Sequence, residues 1–121
     1  MTLQEREARA CAIIDSMTEE LRDISLYLHD NPELGLNEHK AVKVINQFLE
    51  NHNFTSQVGL TDLPELQTAL RGDYNGTAQH KIAFLGEYDA LPELGHGCGH
   101  NLIAMMSLGA AIAFSQSAPE T

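Results

Sequence analysis

Apolar positions recur at helical spacing in the first third of the chain. Ile14, Met17, Leu21, Ile24 and Leu28 alternate steps of three and four, which places them on one helix face, and the pattern extends back through Ala10 and Cys11. Cys11 reads as a small buried residue within that helix. The pattern stops at Asp30-Asn31-Pro32, because proline lacks an amide donor and disfavours helical geometry in the residue before it. After a break at Gly35 a second helix is predicted from Asn37 as N-cap, with Glu38 in its first turn. Its apolar face is Ala41, Val44, Ile45, Phe48 and Leu49, and Asn51-His52-Asn53 ends it.

The middle of the chain changes to strand-like pieces. Phe54 to Val58 is one candidate strand, and Leu66 to Leu70 is a second, with Leu66, Thr68 and Leu70 alternating against Gln67 and Ala69. Asp73-Tyr74-Asn75-Gly76 is a turn signal. Lys81 to Leu85 is a near-continuous apolar run and reads as a buried strand, able to pair with Leu66 to Leu70 as an antiparallel hairpin. A final helix is predicted from about Asn101 to Gln116, followed by Ser117-Ala118-Pro119, with Glu120 in a frayed tail. The fold class is α/β: helix, helix, three short strands, helix. No internal repeat or low-complexity tract interrupts it.

Composition narrows the function classes. The 121 residues suit one small domain or part of a larger one, and a hydrophobic content of 43% supports a real core. The net charge of −10, from 17 acids and 7 bases, opposes nucleic-acid binding. Two cysteines, Cys11 and Cys98, make no disulfide framework. The acidic first residues carry no secretory signal, and the run from Leu102 to Phe114 falls short of the roughly 20 residues that span a bilayer. A soluble, reduced, cytoplasmic protein without membrane or nucleic-acid partners is expected.

Chemistry concentrates between Glu87 and Asn101, a stretch with two histidines, a cysteine and several acids among glycines. The predicted strand at 81–85 delivers Glu87 and Asp89 just past its C-terminal end, the edge that ligand sites favour in open α/β sheets. Cys98 as thiolate and His100 as neutral imidazole suit zinc or another divalent transition metal. Asp89 could orient a histidine ligand or reach a metal itself, and Glu87 is a further oxygen donor. A lone Cys-x-His spacing is a weak metal signal, and a tight turn of Gly95, Gly97 and Gly99 with solvated His96 and His100 is open as well. So is a nucleophilic Cys98 beside His96 or His100. His29, His39, His52 and His80 read as surface residues. Glu33 and Glu38, flanking Gly35, read as capping and turn residues rather than catalytic acids.

Three segments together resemble the co-catalytic zinc amidohydrolase and carboxypeptidase family. They are Leu28-His29-Asp30-Asn31-Pro32-Glu33-Leu34-Gly35 with Glu38, then Ile82 to Pro92, then Gly95-His96-Gly97-Cys98-Gly99-His100-Asn101. The resemblance is greatest to the branch of p-aminobenzoyl-glutamate hydrolase and the β-alanyl-lysine dipeptidase. It implies that Cys98 is a metal ligand bridging two metals, that His100 is a ligand to one of them, and that Asp89 is the catalytic residue supporting the site. Glu87 stands where many members carry a metal-binding histidine, and Asn101 replaces the aspartate of the auxin-conjugate branch.

The implied cofactor is a divalent metal, zinc first, with manganese or cobalt as alternatives. The implied substrate is a small N-acyl amino acid or dipeptide, hydrolysed at its amide bond. On this reading residues 1–121 form the N-terminal part of the catalytic domain. The general-base glutamate, the remaining ligands and the lid and dimerisation domain would lie outside them. The alternative is a non-catalytic remnant acting through binding or assembly, with uncovered apolar surface that favours homo-oligomers.

Overall fold

A computed structural model describes residues 1–59, 62–76 and 79–117. Among the described residues the architecture is mixed α/β, with four helices and one two-stranded antiparallel ribbon: α1 (Leu3–Ser16), α2 (Thr18–Asp30), α3 (His39–Asn51), β1 (Thr55–Val58), β2 (Leu70–Asp73) and α4 (His100–Ser117). Ala118, Pro119 and Glu120, expected to end the last helix and form the tail, lie outside the described residues. Among the described residues no helix is long and apolar enough to cross a membrane.

The first predicted helix is two helices. α1 starts on a capping box, in which Thr2 and Glu5 satisfy each other's backbone amides. Its continuation breaks at Met17, whose amide bonds Ile14 O at 3.0 Å. The Ser16 hydroxyl donates to Ile13 O at 2.6 Å, and side-chain competition of this kind weakens a helix locally. The break drops Met17 into the core beside Ile24 and Leu28 and leaves α1 with no fully buried residue. Cys11, expected inside, is exposed because α1 turns Arg6, Ala10 and Ile13 inward and Cys11 lies off that face.

α2 ends before Pro32 as expected, with the Asn31 side chain donating to Tyr27 O at 2.9 Å. α3 buries Ala41, Val42, Ile45, Phe48 and Leu49. Its cap differs from the expected Asn37: Glu38 is the N-cap residue and makes no side-chain cap. The Glu33 carboxylate does so instead, accepting from Lys40 N at 2.9 Å and Ala41 N at 2.8 Å. Glu33 is therefore a capping residue, as its position suggested, and acts across a loop rather than within the helix.

The ribbon pairs β1 with β2, Thr55 opposite Asp73 and Val58 opposite Leu70. β2 begins where the predicted second strand ends, since residues 66–69 form a turn closed by Ala69 N on Leu66 O at 3.3 Å. The expected hairpin between 66–70 and 81–85 is absent from the described residues. Lys81 to Leu85 is not a buried strand, and Ile82 and Leu85 are 64% and 89% exposed. A run apolar on both faces is buried only when ladder partners and covering layers exist, and here α4 covers one side alone. Phe84 meets Phe114 of α4 at 6.0 Å between ring centroids. Gly86 approaches α4 so closely that a Cβ there would come within 3.0 Å of the Ser107 Cβ.

α4 is apolar almost throughout. It closes the core with Ala104, Met105 and Ile112 against Met17, Ile24, Leu28, Ile45 and Phe48. Leu102 and Met106 remain exposed on its other side. Asn101, in its first turn, is buried and donates to Ser25 O at 3.3 Å and Ser25 Oγ at 3.2 Å, which fixes the start of α4 on α2.

Candidate active site

The start of α4 carries the site. Gly99, at φ +84°, turns the chain into the helix, a conformation that costs glycine little and other residues more. Its carbonyl accepts the amides of Leu102 and Ile103, each at 3.0 Å, so His100 becomes the first helical residue. Ahead of it, Leu91 and Gly95 exchange two backbone hydrogen bonds of 2.8 and 3.1 Å, folding the loop back on itself.

Segment 87–90 runs beside this loop. The Ala90 amide donates to Glu33 O at 2.7 Å, and Leu34 and Ala90 form a parallel bridge. A Cβ on Gly35 would lie 3.9 Å from Asp89 Oδ2, and one on Gly95 would lie 3.8 Å from the Pro32 ring. The segment around Pro32 and the segment around Asp89, far apart in sequence, thus meet directly beneath the glycine loop.

His100 is held at both ring nitrogens. Nδ1 lies 2.7 Å from Asp89 Oδ1 and 3.1 Å from Asp89 O, and Nε2 lies 3.0 Å from Glu87 Oε2. Carboxylate oxygens only accept, so Nδ1 donates to Asp89, which fixes the ring's tautomer and orientation. At Nε2, a cation between the ring and Glu87 satisfies both partners, whether that cation is a proton or a metal. Asp89 therefore meets the site through the His100 ring. His100 is 20% exposed and Glu87 65%, so the site opens on the Glu87 side.

Cys98 is exposed and His96 is half-buried. The His96 Nδ1 is buried and, among the described residues, has no hydrogen-bond partner. Burial, followed by the nearby His100 and His29 charges, holds the His96 ring below the usual histidine range. Among the described residues, no group of three or more His, Cys, Asp and Glu side chains is placed to hold a metal ion. The Asp89–His100 pair and the facing Glu87 suit a divalent metal by donor chemistry, and they make up only part of a coordination shell. His52, expected at the surface, is instead half-buried, stacked edge-on against Phe48 and 3.5 Å from Glu20.

Sequence reasoning missed Tyr88 and Thr68. The Tyr88 hydroxyl donates to Thr68 O, and Thr68 Oγ1 donates to Glu38 Oε1 at 2.8 Å. A signal was present: in an extended segment Tyr88 must face opposite to Glu87 and Asp89.

No family model matches the chain. Curated relatives do, and they are hydrolases. A Xaa-Arg dipeptidase of Mus musculus is 37% identical over 110 residues, covering 86% of this chain and 26% of that protein. The Xaa-Arg dipeptidase of Homo sapiens is 34% identical over 113 residues, with the same coverage of each. A p-aminobenzoyl-glutamate hydrolase subunit of Escherichia coli (strain K12) is 31% identical over 117 residues, covering 83% of this chain and 24% of that protein. These relatives, at 31–37% identity, support an amidohydrolase and peptidase family for the chain, which spans about a quarter of their length.

Proposed function

We propose that this chain forms the N-terminal part of a catalytic domain that hydrolyses amide bonds in N-acyl amino acids or dipeptides, with a divalent metal, zinc in the first place. The observation that carries the reading is the His100 ring, fixed by Asp89 at Nδ1 and facing Glu87 at Nε2. This is the way proteins commonly prepare a histidine to bind metal. Names of the relatives, dipeptidase and p-aminobenzoyl-glutamate hydrolase, support amide substrates of small size.

In this reading His100 and Cys98 are ligands, and Glu87 is an acid beside them. When bound, the metal lowers the pKa of a water and polarises a carbonyl. The chain's own residues prepare that chemistry. Asp89 keeps the Nδ1 proton of His100 in place, leaving the Nε2 lone pair directed outward. The glycine loop from Gly95 to Gly99 brings the Cys98 thiol to the mouth of α4. A closed site needs at least three protein ligands, so residues beyond these two complete it.

Zinc content of the purified protein and of the Cys98→Ala and His100→Ala variants tests the reading, together with release of amino acid from acylated and dipeptide substrates. Loss of both metal and turnover in the variants is expected; unchanged metal content and activity would sink it. A second reading, a non-catalytic domain acting by assembly, draws on the exposed Leu85, Leu102 and Met106. A monodisperse monomer that hydrolyses acyl-amino acids would remove it.

A further inference from the structure

We propose that Tyr88 is a positioning residue, which, through Thr68 and Glu38, ties the two carboxylates facing His100 to the first turn of α3. The basis is alternation along segment 87–89. Glu87 and Asp89 reach the two nitrogens of one imidazole, at 3.0 and 2.7 Å. Their common setting depends on the twist and depth of a short piece of backbone that has no ladder partner of its own at these positions. Tyr88 leaves the opposite side of that backbone, midway between the two acids. Its hydroxyl donates to the carbonyl of Thr68, a residue only 3% exposed.

Thr68 would be a poor anchor if it belonged to a free loop. Its own hydroxyl donates to Glu38 Oε1 at 2.8 Å, and Glu38 is the N-cap residue of α3. The other end of the segment returns to the same place. Ala90 N donates to Glu33 O at 2.7 Å, while the Glu33 carboxylate accepts from Lys40 and Ala41 in the first turn of α3. The acidic pair is thus fixed on both flanks against one helix end. A merely packed aromatic at position 88 would bury area but would not define the height of the segment, whereas a directed hydrogen bond does. Mutual orientation of a ligand and its outer carboxylate is what such partners control.

The experiment reads the His100 ring proton on Nδ1 by NMR in the metal-free full chain, with His100→Gln to assign it. The wild type should show a protected, downfield ring proton held by Asp89. Tyr88→Phe keeps the ring and removes only the hydroxyl, and should lose that protected signal. Thr68→Val, which cuts the link to Glu38, should weaken the protection, and Thr68→Ser should restore it. Phe54→Leu, a packing change in the cavity that Tyr88 also lines, removes no hydrogen bond of the link and should lower Tm and leave the ring proton alone. A Tyr88→Phe protein that loses stability but keeps the wild-type ring proton would overturn the inference. So would a wild-type proton that exchanges freely, or a Phe54→Leu effect as large as that of Tyr88→Phe. The functional consequence rests on the proposed metal reading, and zinc titration of the same variants separates the two. Tyr88→Phe should then bind zinc about tenfold more weakly. A wild type that takes up no zinc removes the metal reading, while the ring proton still decides the positioning.

Discussion

The Glu33 carboxylate accepts the backbone amides of Lys40 and Ala41, seven and eight residues further on, at 2.9 and 2.8 Å. In the same residue the carbonyl takes the Ala90 amide at 2.7 Å. One side chain and one peptide group thereby join the start of α3 to the segment bearing Asp89. The helix end gains an acceptor that its own N-cap residue does not provide, since Glu38 is turned to Thr68.

Glu33→Ala should therefore destabilise the fold by about 1–2 kcal/mol, the usual cost of removing an N-terminal cap. Urea unfolding followed by far-UV circular dichroism checks this. A loss well below that range would mean that water replaces the carboxylate at the helix end.

Asp89→Asn should leave the fold in place and loosen the hold on the His100 ring. An amide can offer either its oxygen or its NH2 to Nδ1, so the tautomer is no longer specified. Zinc affinity, measured by competition with a chromophoric chelator, should fall about 10- to 100-fold. An unchanged affinity would show that the ring is oriented by the Asp89 carbonyl, which lies 3.1 Å from the same nitrogen.

Tyr88 should give up its phenolic proton only at high pH. Burial, and secondarily the Glu38 charge, push its phenol up to about 12. The folded state therefore holds this proton more tightly than the unfolded chain. That contribution to stability is complete below about pH 10, the ordinary tyrosine value, and is lost as pH rises towards about 12. Absorbance near the phenolate band, followed through alkaline titration, should show one late step that Tyr88→Phe removes. An alkaline titration that Tyr88→Phe leaves unchanged at its late end would contradict it.

Leu28→Ala should cost about 2–5 kcal/mol, because Leu28 is 1% exposed in the core that α2 shares with residues of α3 and α4, and its removal leaves a cavity. Cys11→Ser, on the open side of α1, should change stability by less than about 0.5 kcal/mol. Both cysteines should react with a thiol reagent without denaturant, since both are exposed. Thermal melts and thiol counting check the three outcomes together.

Local signals in the chain determined a good deal. The apolar period fixed the inner faces of α2 and α3, and Pro32 and Asn53 marked where those helices stop, because these effects act within a few residues. The run from Glu87 to Asn101 stood out by its residue types, and it holds Glu87, Asp89 and His100, which the fold brings together. Tertiary structure decided the rest. It broke the first helix at Met17, exposed Cys11, gave the α3 cap to Glu33 and, among the described residues, left Lys81 to Leu85 without a strand partner. It also joined His100 to both Glu87 and Asp89, and Tyr88 to Thr68. Each of these depends on a partner outside the local window, and periodicity records only which way a residue faces, not what it will meet there.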